Sequence, residues 1–84
     1  MTVSGPDLVG IAGVSLVVGT YFLAQIGRME TTRPAYPALN AVGAALILVS
    51  LSYSFNLASA VIEIFWLAIS VLGLIRALRR SAAG

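Results

Sequence analysis

Five side chains in this sequence could do chemistry or specific binding in apolar surroundings: Gln25, Asn40, Ser50, Glu63 and Trp66. Gln25 and Asn40 each carry an amide that both donates and accepts hydrogen bonds, and Ser50 carries a hydroxyl. Glu63 is the lone ionisable group between Leu57 and Ile75. An acid so placed reads as a proton-coupling carboxyl, a ligand contact or an anchor to a partner subunit. Equally, it reads as a protonated acid bonded to a neighbouring serine or carbonyl. A charged side chain at the centre of a membrane helix costs about 2.5–3.5 kcal/mol on insertion scales, and remaining protonated avoids part of that cost. Trp66 and Tyr53 fit packing or interface anchoring better than cofactor contact, and Tyr36 suits an interfacial position.

The missing residue types exclude more than the present ones admit. There is no His, no Cys and no Lys, and the three acids Asp7, Glu30 and Glu63 are far apart. No nucleophile–base pair can be drawn, metal sites lack their usual His and Cys ligands, and no phosphate-binding glycine loop with a lysine exists. The expectation is a protein that is not an enzyme and carries no metal or other cofactor. Without Cys, neither a disulfide staple nor the redox compartment can be read.

These side chains must be positioned by membrane helices. Leu57 to Ile75 is long and apolar and ends in Arg76, Arg79 and Arg80, the pattern of a transmembrane helix. The whole chain is 60% hydrophobic and only 10% charged, which leaves too little polar surface for a water-soluble domain of 84 residues. Upstream, Ser4-Gly5-Pro6-Asp7 is a helix start, with Ser4 as N-cap and Asp7 at the positive end of the dipole. Leu8 to Gly27 follows without a charge. A cleaved signal peptide would have its basic residues before the apolar run; here Arg28 comes after it, so the first helix is expected to be retained. Arg28 to Pro34 is the first loop, Pro37 opens the second helix, and Ser54-Phe55-Asn56 is a tight turn with Asn56 capping the third helix. The reading is an all-α membrane bundle of three transmembrane helices at about 6–27, 36–55 and 57–80, one domain over 1–84.

Orientation follows from the arginines. With three spans, Arg28, Arg33, Arg76, Arg79 and Arg80 all fall on one side, and Asp7 with the uncharged turn falls on the other. Positive charge inside then places the N-terminus out and the C-terminus in, as a multi-pass protein of the bacterial inner (cytoplasmic) membrane. The basic balance is thereby accounted for as topology, with no nucleic-acid partner.

Heptad-spaced positions pick out one small or polar stripe on each helix. They are Gly10, Gly13, Val17, Thr20, Ala24 and Gly27; Asn40, Gly43, Ile47, Ser50 and Ser54; and Ser59, Glu63, Trp66, Ser70, Gly73 and Ala77. Small residues let helix backbones approach in lipid, and hydroxyls and amides bond across the contact, so the stripes are expected to face one another or a partner. Depth counted at about 1.5 Å per residue puts Glu63 and Ser50 at an outer level. Gln25 and Asn40 fall at an inner level about 15 Å away.

Over residues 8–80 the chain resembles a family of small hypothetical bacterial membrane proteins. That family has Y-F-L-x-Q-x-G in its first helix, matched by Tyr21, Phe22, Leu23, Gln25 and Gly27. It has N-x-x-G-A-x-L-x-x-x-S in the second, matched by Asn40, Gly43, Ala44, Leu46 and Ser50, and E-x-x-W in the third, matched by Glu63 and Trp66. The resemblance brings no activity with it. In architecture the chain also resembles SemiSWEET half-transporters of the PQ-loop class, which work as homodimers. Gln25 stands at that motif's glutamine, with Ala24 in place of its proline, and Glu63 and Ser50 fall near the family's helix-three asparagine and helix-two tryptophan. Those departures remove most of the sugar-site signature.

Two functions are therefore expected. The first is a non-catalytic accessory or scaffold subunit of a larger membrane complex, of respiratory or photosynthetic type, with lipid and other membrane subunits as partners. The alternative is a homodimeric small-molecule transporter using Glu63, Gln25 and Asn40. A stripe open to a water-filled cavity would favour the transporter, and a stripe sealed by packing would favour the subunit.

Overall fold

The structure, a computed structural model, describes residues 3–83; Met1, Thr2 and Gly84, in the polar lead and tail, lie outside the described residues. It is all-α, with α1 at Gly5–Gln25, α2 at Ala35–Leu51 and α3 at Leu57–Ala83. Among the described residues, α1 and α3 are long and apolar enough to cross a membrane, and α2 is a shorter apolar helix.

Each helix begins and ends for a local reason. At the start of α1, the Ser4 hydroxyl accepts from the Asp7 backbone N–H at 3.2 Å. The Asp7 carboxylate accepts from the Ser4 N–H at 3.0 Å, completing a reciprocal capping box. α1 ends at Gln25, two residues before the expected limit, because Gly27 adopts φ +77. That left-handed residue lets Arg28 N–H reach the Leu23 carbonyl and Gly27 N–H the Ala24 carbonyl, the paired bonds of a Schellman cap. α2 stops at Leu51, four residues short of expectation, where the Ser52 hydroxyl donates to the Val49 carbonyl at 2.6 Å. The turn from Ser52 to Asn56 is accordingly longer than the expected three-residue connection. Asn56 caps α3 by accepting from Ser59 N–H at 3.0 Å, and α3 runs on to Ala83, past the expected end at Arg80.

α2 is the central element. α1 and α3 each pack against it, and no Cα of one comes within 8 Å of the other. The three stripes therefore do not meet at a common axis; those of α1 and α3 both turn toward α2, from two sides. On the α1 side the contact is backbone on backbone. A Cβ built on Gly13 would lie 2.5 Å from the Gly43 carbonyl oxygen, and one built on Gly43 would lie 2.8 Å from that of Gly13. On the α3 side Ala44, Ala60, Ser70 and Ala77 are buried, and Gly73 sits over Pro37. Large side chains lie on the outer faces, among them Phe22, Phe65 and Leu72.

The loop joining α1 to α2 and the C-terminal part of α3 share one end of the molecule, since Thr31 lines a hollow with Arg76, Arg79 and Arg80. Arg33 lies beside Arg80 at the same end and pairs with Glu30 at 3.3 Å on the exposed surface. Asp7 is at the opposite end, near Ser50 and Leu51.

Candidate functional site

The helix register decides which polar groups meet. With Gly10 against Ser50 and Gly13 against Gly43 and Ile47, the antiparallel α1 and α2 bring Thr20 opposite Asn40. Asn40 is 2% exposed and uses its amide in both directions. Its Nδ2 donates to Thr20 Oγ1 at 2.8 Å and to the Tyr36 carbonyl at 3.0 Å, and its Oδ1 accepts from Trp66 Nε1 at 3.0 Å. Thr20 Oγ1 in turn donates to the Leu16 carbonyl at 2.7 Å. The bonds run in one direction, from the indole N–H through the amide to the hydroxyl and into the α1 backbone. Because the indole can only donate, it fixes which way the amide faces. One side chain on α2 thus ties together two helices that do not touch each other.

The other candidate residues are placed differently. Gln25 is exposed at the end of α1, five residues beyond Thr20, and does not share a level with Asn40's bonds. Ser50 is half-buried beside Gly10, toward the Asp7 end of α1. Glu63 lies one turn from Trp66 on α3, and the contacts of Trp66 with Asn40 and of Gly73 with Pro37 put it level with residues 43–47 of α2. Its Oε1 is buried with no hydrogen-bond partner among the described residues. A lone buried acceptor is costly, and it is the one polar atom of the stripes so left.

Below Asn40 and Trp66, toward the arginine end, lies a cleft of about 260 Å³ between α2 and α3. Asn40 and Trp66 line it together with Tyr36, Pro37, Ile69 and Ser70, and Thr31 and Gly73 border it where it meets the arginines. Thr31 and Gly73 also border the outer hollow of about 610 Å³ walled by Arg76, Arg79 and Arg80, so cleft and hollow adjoin. No pair of groups in this region can act as nucleophile and base. What the arrangement offers is binding: an apolar slot behind a cationic mouth.

Thr20, Thr31 and Tyr36 were absent from the sequence-derived site residues. Thr20 had a readable signal, as the sole hydroxyl on the small-residue stripe of its helix. Thr31 had none, since a loop threonine carries no pattern. Tyr36, expected only at an interfacial position, enters through its backbone carbonyl and in the wall of the cleft.

Among the described residues no group of His, Cys, Asp and Glu is arranged to hold a metal ion. No curated protein and no solved structure matches the chain. A protein-family model matches residues 6–81, nearly the whole length, and the chain belongs to that uncharacterised family.

Proposed function

We propose that this chain is a three-span protein of the bacterial inner membrane, N-terminus out and C-terminus in, serving as a non-catalytic accessory or scaffold subunit of a larger membrane complex. The observation that carries the reading is where the polar groups go. Thr20, Asn40 and Trp66 satisfy one another within the chain, and Gly13 packs directly on Gly43 in the α1–α2 seam. What remains outward is overwhelmingly apolar, including exposed Phe22, Phe65, Ile69 and Leu72. In water such a surface would drive aggregation, whereas lipid or neighbouring membrane helices cover it without penalty. All five arginines gather at one end, which supports the orientation.

A second reading, the homodimeric transporter, draws on Glu63. Its unpartnered Oε1 and the neighbouring cleft are the features a coupling acid would need, with a second copy supplying the other wall.

Two experiments test the proposal. The chain has no Cys, so single cysteines at Ser4 and Ser81 report sidedness: Ser4→Cys should react with an impermeant maleimide from the periplasm and Ser81→Cys should not. Equal labelling of both would defeat the orientation. Photo-cross-linking from Phe65 in native membranes should capture a different membrane protein in stoichiometric yield. Self-cross-links alone would defeat the subunit reading and favour the transporter.

A further inference from the structure

Three of the five arginines wall one hollow at the arginine end. Arg76, Arg79 and Arg80 stand around it with Thr31, and no acid among the described residues lines it. Glu30, the nearest carboxylate in sequence, is paired with Arg33 around the neighbouring depression. Three cations in five residues repel one another unless an anion sits among them. Directly inward the character changes, and the slot behind the mouth is walled by Tyr36, Pro37, Trp66 and Ile69. That slot, about 260 Å³, falls below the usual ligand-pocket range of about 300–1,000 Å³. It suits one part of a larger molecule better than a whole one. A molecule matching both parts has an anionic head and an apolar tail.

We propose that the hollow and cleft together hold one anionic phospholipid, its phosphate on Arg76, Arg79 and the Thr31 hydroxyl, and one acyl chain along Tyr36, Trp66 and Ile69. The inference rests on the membrane reading above, which puts this end at the cytoplasmic headgroup level, where basic pockets between helices take lipid head groups. Charge complementarity selects an anionic over a zwitterionic lipid. The apolar slot selects a lipid over free phosphate, which would occupy the mouth alone.

The test uses full-length protein, purified in detergent and delipidated, then titrated with phosphatidylglycerol or phosphatidylcholine of equal chain length and read by native mass spectrometry. The expected result is a one-to-one phosphatidylglycerol adduct formed in clear preference to phosphatidylcholine. Each arginine near an anionic head contributes about fivefold, so Arg76→Gln with Arg79→Gln should weaken the adduct roughly twenty- to thirtyfold. All of these arginines are exposed, so the variant should fold, as circular dichroism will check. Arg28→Gln with Arg33→Gln removes the same formal charge from residues that do not line the hollow, Arg33 being beside Arg80 and already paired with Glu30, and should weaken binding by no more than about fivefold. Ile69→Trp fills the slot and should weaken lipid binding. Equal retention of the two lipids, or equal losses in the two double variants, would overturn the proposal. Full displacement by inorganic phosphate with no effect of Ile69→Trp would show a free-phosphate site and overturn it also. Alkaline carbonate washing of native membranes separates the two readings. Release into the supernatant would sink the membrane reading and this inference with it, whereas retention without phosphatidylglycerol preference sinks the inference alone.

Discussion

Replacing Asn40 with alanine should loosen both helix contacts at once, and the structure allows the loss to be estimated. The substitution removes two interhelical bonds, to Thr20 Oγ1 and from Trp66 Nε1, and one bond within α2 to the Tyr36 carbonyl. Interhelical bonds in membrane proteins average about 0.6 kcal/mol and reach about 1.7 kcal/mol, so two contribute about 1.2–3.4 kcal/mol. The indole N–H is then left without a partner, a cost of about 1–3 kcal/mol where water cannot reach it. A total of about 2–6 kcal/mol follows, a large share of the stability of so small a protein. Trp66 is the sole tryptophan, so its fluorescence during detergent-driven unfolding follows the perturbed contact directly. Double-mutant cycles pairing Asn40→Ala with Thr20→Val, and with Trp66→Phe, should each return a coupling of about 0.6–1.7 kcal/mol. Asn40→Asp is the sharper probe. A carboxylate still accepts from Trp66 but cannot donate to Thr20, so the Thr20 hydroxyl must turn away from the Leu16 carbonyl. It should therefore destabilise at least as much as alanine despite its similar shape. If Asn40→Ala costs under about 0.5 kcal/mol, or both couplings are zero within error, the three-helix tie is refuted.

Three further outcomes are expected. Gly13→Ala or Gly43→Ala must push the α1 and α2 backbones apart, since the new Cβ would meet a carbonyl oxygen at 2.5 or 2.8 Å. Each should cost about 1–3 kcal/mol in the same unfolding assay, while Gly19→Ala, with nothing within 4 Å, should be neutral or slightly stabilising. Glu30→Gln breaks only an exposed pair and should change stability by less than about 1 kcal/mol. Glu63→Gln keeps the shape of the side chain and should leave the isolated chain folded. If Oε1 is an anchor for a partner, the same substitution should release the chain from its complex on a native gel.

The stripes were legible in the sequence because small residues let helix backbones approach and polar ones bond across the contact, which makes them the packing face. Gly13, Thr20, Asn40, Gly43, Ser70 and Ala77 were all on the stripes and are all buried. The capping residues Ser4 and Asn56 were equally legible, since their side chains sit beside the N–H groups they satisfy. The pairing across helices was not. Counting depth from the helix ends treats the helices as flush, and so set Gln25 level with Asn40. The true register is set by where Gly13 can touch Gly43, which slides Thr20 into that place. The end of α2 was also hidden, because Ser52, Tyr53 and Ser54 include neither glycine nor proline. A hydroxyl bond from Ser52 to Val49 accompanies the end of that helix, and composition does not reveal it. The cleft near Arg76 depends on the loop folding back over α3, a long-range event that no local pattern reports.

The central claim, that this chain closes its own polar seams and works by association with other membrane subunits, is tested most directly by one mass. The protein should be extracted from native membrane in mild detergent and the size of its particle measured by native electrophoresis or mass photometry. The account predicts co-migration with a large assembly of different subunits, far heavier than the 8.7 kDa chain or its dimer. A discrete homodimer holding nothing but lipid and detergent would contradict it.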